Sequence, residues 1–293
     1  MLQLLVNSAI YAGEIAMIAV GLALTYSILR FANFAHIQLA VLGGYVSYAL
    51  HEAGMWLPAA VVLSCIVTGF VAVAIDRIVF HPLRDLSPEG KMIVSWGVAL
   101  VLRSLLAAAF GGAARVFDIA PTTFVVGGAF VSTLDLTVIG TAILAMLALH
   151  ALLFRTRLGT GLRALADNRD LARTRGLPPE RLTGIMWFVA GAYAALGGTL
   201  FALETRLQPD MDLVILLPVF ASVTLGGLGS VFGAAIGACV LSLAQNLAIG
   251  IDFGSLLSGG AWFLPSQLRD VIAVLVMVTV LCLRQRVSTG GAR

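Results

Sequence analysis

Glu14, Arg103, Asn33, His36, Gln38, Gln245 and Asn246 are polar side chains standing in or beside long apolar runs. A charged group placed in such a run costs a few kcal/mol to insert, so it must face a partner or a water-filled cavity. Glu14 therefore reads either as part of a solute path or as a structural carboxylate paired with Arg103. Asn33 and His36 stand three residues apart and, if helical, share one face. Capping or bridging between helices suits them better than proton carriage by His36. Gln245 and Asn246 are placed to face the same cavity as Gly226, Gly227 and Gly229. No second His or carboxylate stands at metal-ligand spacing, and no HExxH, paired-acid or Ser/His/Asp set appears. No GxxxxGK[ST] loop is present to cradle a phosphate. Cys65, Cys239 and Cys282 lie singly in apolar stretches and read as small core residues. The expectation is a chain with no catalytic residue, no metal and no cofactor of its own.

The elements that position these residues follow from composition. Of 293 residues, 60% are hydrophobic and 11% charged, and mean hydropathy is +1.01. A soluble domain carries about 25% charged residues. This chain cannot coat itself for water and is too apolar to be disordered. A polytopic membrane protein fits. The net charge of +3 suits basic loops at a membrane and gives no reason to expect a nucleic-acid partner. Apolar runs fall at Leu4–Leu29, Phe34–Leu50, Leu57–Phe80, Met92–Phe110, Leu136–Phe154, Gly184–Leu203, Val214–Ile249 and Leu268–Leu283. They are too long and too uniformly apolar for barrel strands. The fold class is all-α, with about eight transmembrane helices in a single domain over residues 1–293. The N-terminus lacks the basic region and cleavage site of a signal peptide, so the first span is expected to direct insertion.

Sidedness follows the arginines and lysines. Fourteen of the eighteen basic residues fall on one side, at Arg30, at Arg77, Arg84 and Lys91, through 155–183, and at Arg284, Arg286 and Arg293. Glu52, Asp118, Asp135, Glu204, Asp210, Asp212, Asp252 and Asp270 fall on the other. The expected topology has the N-terminus outside and the C-terminus in the cytoplasm. Parity then requires Val214–Ile249 to cross twice or re-enter. At 1.5 Å per residue it would be a helix of roughly 54 Å, too long for one span. It should break at Gly226-Gly227-Leu228-Gly229-Ser230. Irregular backbone at membrane depth must be shielded by protein or face a cavity. The bend is thus expected to be buried among other helices.

Residues 155–183 are the one long polar stretch, with seven arginines at Arg155, Arg157, Arg163, Arg169, Arg173, Arg175 and Arg181. Leu162, Leu165, Ala166, Ala172 and Leu177 recur at the spacing of a short amphipathic helix, and Gly176 and Pro178-Pro179 end it. Charge alone would suit a loop resting on anionic lipid. The small residues Gly159, Gly161, Ala164, Ala166, Ala172 and Gly176 instead suggest a helix that another surface approaches closely.

Gly161-Leu162-Arg163-Ala164, followed by Asn168, Ala172 and Gly176, resembles the coupling motif of ABC importer permeases of the branched-chain amino-acid type. Tyr26 to His36, ending Asn33-Phe34-Ala35-His36, resembles that family's first-helix signature, and Leu42-Gly43-Gly44-Tyr45 follows it. Phe220 to Gly237 resembles its late glycine-rich signature. The three signatures stand in the expected order over nearly the whole chain. Where the family usually has Gly then Glu after the Asn-Phe-Ala-His signature, Ile37 and Gln38 stand here, and Glu14 replaces an apolar or small residue. The resemblance implies a permease subunit in the inner membrane of a bacterial cell. Its implied partners are a second homologous permease or a copy of itself, two cytoplasmic ATPase subunits that use the ATP, and a periplasmic or tethered solute-binding protein. Gly161, Arg163, Ala164, Asn168, Ala172 and Gly176 would couple to the ATPase. Glu14, Asn33, His36, Gln38, Gly226, Gly227, Gly229 and Gln245 are candidates for the translocation path. Branched-chain amino acids are the default solute, with urea or a small amide as alternatives. An ion-coupled secondary transporter is the competing class, disfavoured because intramembrane charges are few and no inverted repeat is apparent.

Overall fold

The computed structural model describes residues 2–250, 265 and 268–290, with side chains as far as 282. Asp252 and Arg293, used above for sidedness, lie outside the described residues. The helices are α1 (Leu2–Leu29), α2 (Ala35–Glu52), α3 (Leu57–Ile75), α4 (Pro88–Phe110) and α5 (Thr133–Arg155). They continue as α6 (Arg157–Asp167), α7 (Arg169–Thr174), α8 (Pro179–Glu204), α9 (Met211–Gly226), α10 (Val231–Gly250) and α11 (Arg269–Gly290). A π-helical turn, Asp76–Phe80, extends α3. The one sheet among the described residues is a hairpin, β1 (Thr123–Val126) paired antiparallel with β2 (Ala129–Ser132) around Gly127-Gly128. The apolar runs gave no sign of it. Among the described residues, six helices are long and apolar enough to cross a membrane.

Helix ends follow local chemistry. Ser87 caps α4 ahead of Pro88, and Ser132 with Asp135 forms a capping box on α5. Arg30 ends α1 with φ of +58°. The backbone turns there, and residues 31–34 lead directly into α2.

Burial divides the helices by role. In their most apolar stretches, α1 is 83% buried and α8 67%, against 17–28% for α3, α4 and α5. The first two form the centre and the other three lie at the outside of the chain. Helices that share no hydrophobic drive in lipid approach through small residues. Gly43 packs on Ala195, and Gly198 lies directly on the Ala40 carbonyl, which joins α2 to α8. Gly197 meets the α1 backbone, where an added Cβ would stand 2.9 Å from the Glu14 carbonyl. Ser64 donates to the Gly43 carbonyl at 2.6 Å, tying α3 to the same contact.

The long run 214–249 does break, at the predicted glycines. Gly226 and Gly233 pack backbone to backbone across the turn, and Ser230 closes it by accepting from the Gly233 N–H at 3.0 Å. The bend is not buried, however: Gly229 and Ser230 are exposed. The physical reason is length. The α9 helix is 16 residues, about 24 Å, and α10 is 20 residues, about 30 Å. Two helices of that size carry the turn out to the arginine-rich end, where water can satisfy its backbone.

Candidate functional site

The arginine-rich segment is two helices. Thr156 caps α6 through the Gly159 N–H (3.0 Å), and Asn168 caps α7 through the Leu171 N–H (3.0 Å). Asn168 thus shapes the joint between them. On α6, Gly159, Gly161, Leu162 and Leu165 are buried, and α7 buries Ala172. Arg163, Asn168 and Gly176 are exposed, and Ala164 is half-buried. The small residues serve this chain's own packing. Gly159 sits on the carbonyls of Leu152 and Leu153, and Gly161 lies under Leu182, 3.2 Å from where a Cβ would stand. Gly176 has φ of +81° and nothing near it, so it ends α7 as a left-handed stop. At Gly159 and Gly161 the close approach comes from α5 and α8 of this chain. The outward surface includes Leu158, 45% exposed, Leu171, 55% exposed, and Arg163, whose guanidinium lies 4.7 Å from the Phe154 ring.

Polar contacts fix this unit to the membrane helices. Arg30 donates to the Ala166 carbonyl at 2.7 Å, joining the end of α1 to α6. Glu180 at the start of α8 takes Arg84, His81 at 2.8 Å and Arg169 at 3.8 Å, which gathers α7, α8 and the α3–α4 connection. A cavity of about 540 Å³ lies between α6 and the glycine bend, bordered by Arg163, Ala164, Gly229 and Ser230. Gly226, Gly227 and Gly229 therefore stand beside the arginine-rich helices, away from the middle of the bundle.

The other candidates separate into two groups. Glu14 is 2% exposed, and its Oε1 has no hydrogen-bond partner. It does not pair with Arg103. Arg103 forms its ion pair with Asp212, 109 residues further along the chain. The charges that act on Glu14 come from Glu204 and Arg269. Arg269 lies over the Tyr11 ring at 4.4 Å and donates to Asn246 at 2.6 Å, while Gln245 donates to the Arg269 carbonyl at 2.9 Å. Gln245 and Asn246 thus look toward α11, at the far end of α10 from the glycine bend. The shared cavity expected for them is not formed, because about 21 Å of helix separates the two.

Asn33, His36 and Gln38 are all fully buried. His36 bridges α2 to α1 through the Ile18 carbonyl at 3.1 Å, and Gly21 leaves room for its ring. Gln38 donates to the Pro209 carbonyl at 3.3 Å, and its Oε1 is unpartnered. Both polar atoms of Asn33 lack partners among the described residues. Asp212 follows Pro209 by three residues, so Gln38 reaches the same segment that receives Arg103. Asp212 falls outside the apolar runs read from the sequence. It stands in the first turn of α9, 4% exposed. No metal-competent group of His, Cys, Asp or Glu occurs among the described residues.

Comparison with known proteins adds a family. The family described as "Branched-chain amino acid transport system / permease component" matches residues 4–281. The chain is 26% identical to the high-affinity branched-chain amino acid transport system permease protein BraD of Pseudomonas aeruginosa, over 97% of this chain and 94% of that one. It is 28% identical to the probable branched-chain amino acid transport permease LivH of Methanocaldococcus jannaschii, over 98% and 92%. LivH of Escherichia coli is 26% identical, over 96% and 92%.

Proposed function

The chain belongs to the branched-chain amino acid transport system permease component family, and from that premise we propose that it forms the membrane pathway of an ATP-driven importer for branched-chain amino acids. It is a multi-pass membrane protein and a transport component. In the proposed assembly it acts as one permease domain and pairs with a second permease, homologous or identical. Two cytoplasmic ATPase subunits seat against α6 and α7, and a solute-binding protein delivers from the opposite face. The N-terminus lies outside and the arginine-rich end in the cytoplasm, as the basic-residue bias favours.

The observation that carries this reading is the α6–α7 unit. It presents Leu158, Arg163 and Leu171 outward while Arg30 and Glu180 fasten it to α1 and α8. A partner that pushes on this surface moves helices of the bundle centre. ATP binding and hydrolysis in the partner then bias a two-state membrane pathway between outward and inward openings.

The test is uptake of radiolabelled leucine by cells carrying Arg163→Glu, alongside co-purification of the ATPase subunit. Uptake is expected to fall at least tenfold and co-purification to be lost, with the chain still inserted. Normal uptake by that variant would remove α6 from the coupling surface.

A further inference from the structure

Around the junction of α2, α4 and α9 stand two groups of side chains. Arg103 and Asp212 form an ion pair, and Gln38 donates to the Pro209 carbonyl three residues before Asp212. Phe34, Trp96 and Phe220 form an aromatic group: Phe34 lies 5.5 Å from Trp96, edge to face, and 5.1 Å from Phe220, stacked. The spacings explain the separation. Phe34 and Gln38 are four residues apart, Trp96 and Arg103 seven, and Phe220 and Asp212 eight, each close to a whole number of helical turns. The groups are therefore separated by one to two turns, with the aromatic group nearer the arginine-rich end. Trp96 is 37% exposed and the Arg103 side chain 21% exposed, so one member of each group, both on α4, is only partly covered by this chain.

We infer that the Arg103–Asp212–Gln38 group receives the zwitterionic head of the amino acid in transit, and that Phe34, Trp96 and Phe220 form the apolar plug on its cytoplasmic side. The inference rests on the amino-acid reading above and adds the residues that read the solute.

The chemistry of the group supports this. The partly exposed ion pair leaves Arg103 Nε and Asp212 Oδ1 without hydrogen-bond partners among the described residues, and Gln38 Oε1 nearby is likewise unpartnered there. A purely structural pair would satisfy those atoms. An α-amino acid carries one carboxylate for Arg103 and one ammonium for Asp212, with Gln38 Oε1 as a further acceptor. Opening the pair around such a solute replaces one ion pair by two and leaves the net charge unchanged. A branched aliphatic side chain then meets aromatic rings.

The test uses the assembled complex in proteoliposomes without nucleotide, preloaded with radiolabelled leucine or with 4-methyl-2-oxopentanoate. The oxo acid keeps the carboxylate and side chain of leucine but lacks the ammonium. Trp96→Ala should open the plug and release leucine at least tenfold faster than the parent complex, with leucine leaving faster than the oxo acid. Adding Asp212→Asn should abolish or reverse that preference. A Trp96→Ala complex that holds leucine as tightly as the parent overturns the plug. An unchanged preference in the double variant overturns the polar station. If the double variant fails to assemble, Gln38→Leu in the Trp96→Ala background should at least halve the preference, and no change there is equally contrary. ATP-driven uptake by the parent complex separates this from the wider reading. A parent that accumulates another solute and no leucine contradicts the assigned substrate without bearing on the plug.

Discussion

A Cβ on residue 198 would land on the Ala40 carbonyl, so the closest approach of α8 to α2 at that point requires glycine. Overpacking a tight contact costs about 1–3 kcal/mol, and here the obstacle is backbone, which cannot rotate away. Gly198→Val is expected to destabilise by at least about 2 kcal/mol, while Gly97→Ala, with nothing within 4 Å, should be neutral or slightly stabilising. Thermal unfolding of the detergent-solubilised chain measures both, and equal melting of Gly198→Val and parent would contradict the packing argument. The residue scale is also where the sequence was hardest to read. Arg103 was visible as a charge needing a partner, but its partner Asp212 is 109 residues away, outside the apolar runs read from the sequence. No local pattern links the two, since the pairing depends on how α4 and α9 lie across α2. Asn33, His36 and Gln38 were legible as a group because they share one short stretch.

At the scale of elements, α7 is tied to the start of α8 and to the α3–α4 connection through Glu180. Exposed ion pairs contribute little to stability, commonly under about 1 kcal/mol. Glu180→Lys should therefore leave the melting temperature nearly unchanged. It should nevertheless loosen α7, because Arg169, Arg84 and His81 all converge on that carboxylate. Hydrogen exchange across 169–174 and tryptic cleavage after Arg173 and Arg175 are expected to speed up at least threefold. Unchanged exchange there would mean that packing of Ala172 alone holds α7 down. The amphipathic spacing of Leu162, Leu165 and Ala172 made the α6–α7 unit readable from sequence. Its small residues were harder to assign, because glycine suits a foreign contact and a tight internal one equally well. The internal contact with the α5 carbonyls is what the packing selects.

For the whole molecule, charge bias and parity, which required 214–249 to cross twice or re-enter, anticipated the glycine break between α9 and α10. They missed the depth of that break. Counting residues could not say whether α9 and α10 were half-spans meeting inside the membrane or longer helices meeting at its edge. At the edge, the turn adjoins the arginine-rich helices, and the same face of the molecule carries both late signatures. That arrangement is what the proposed coupling to a companion ATPase draws on. The account predicts that purified chain alone, reconstituted in vesicles, moves no leucine above the rate of empty vesicles. Vesicles holding the permease pair with its ATPase and binding protein should accumulate leucine when ATP is supplied. Equal leucine movement with and without the companion subunits would contradict the account.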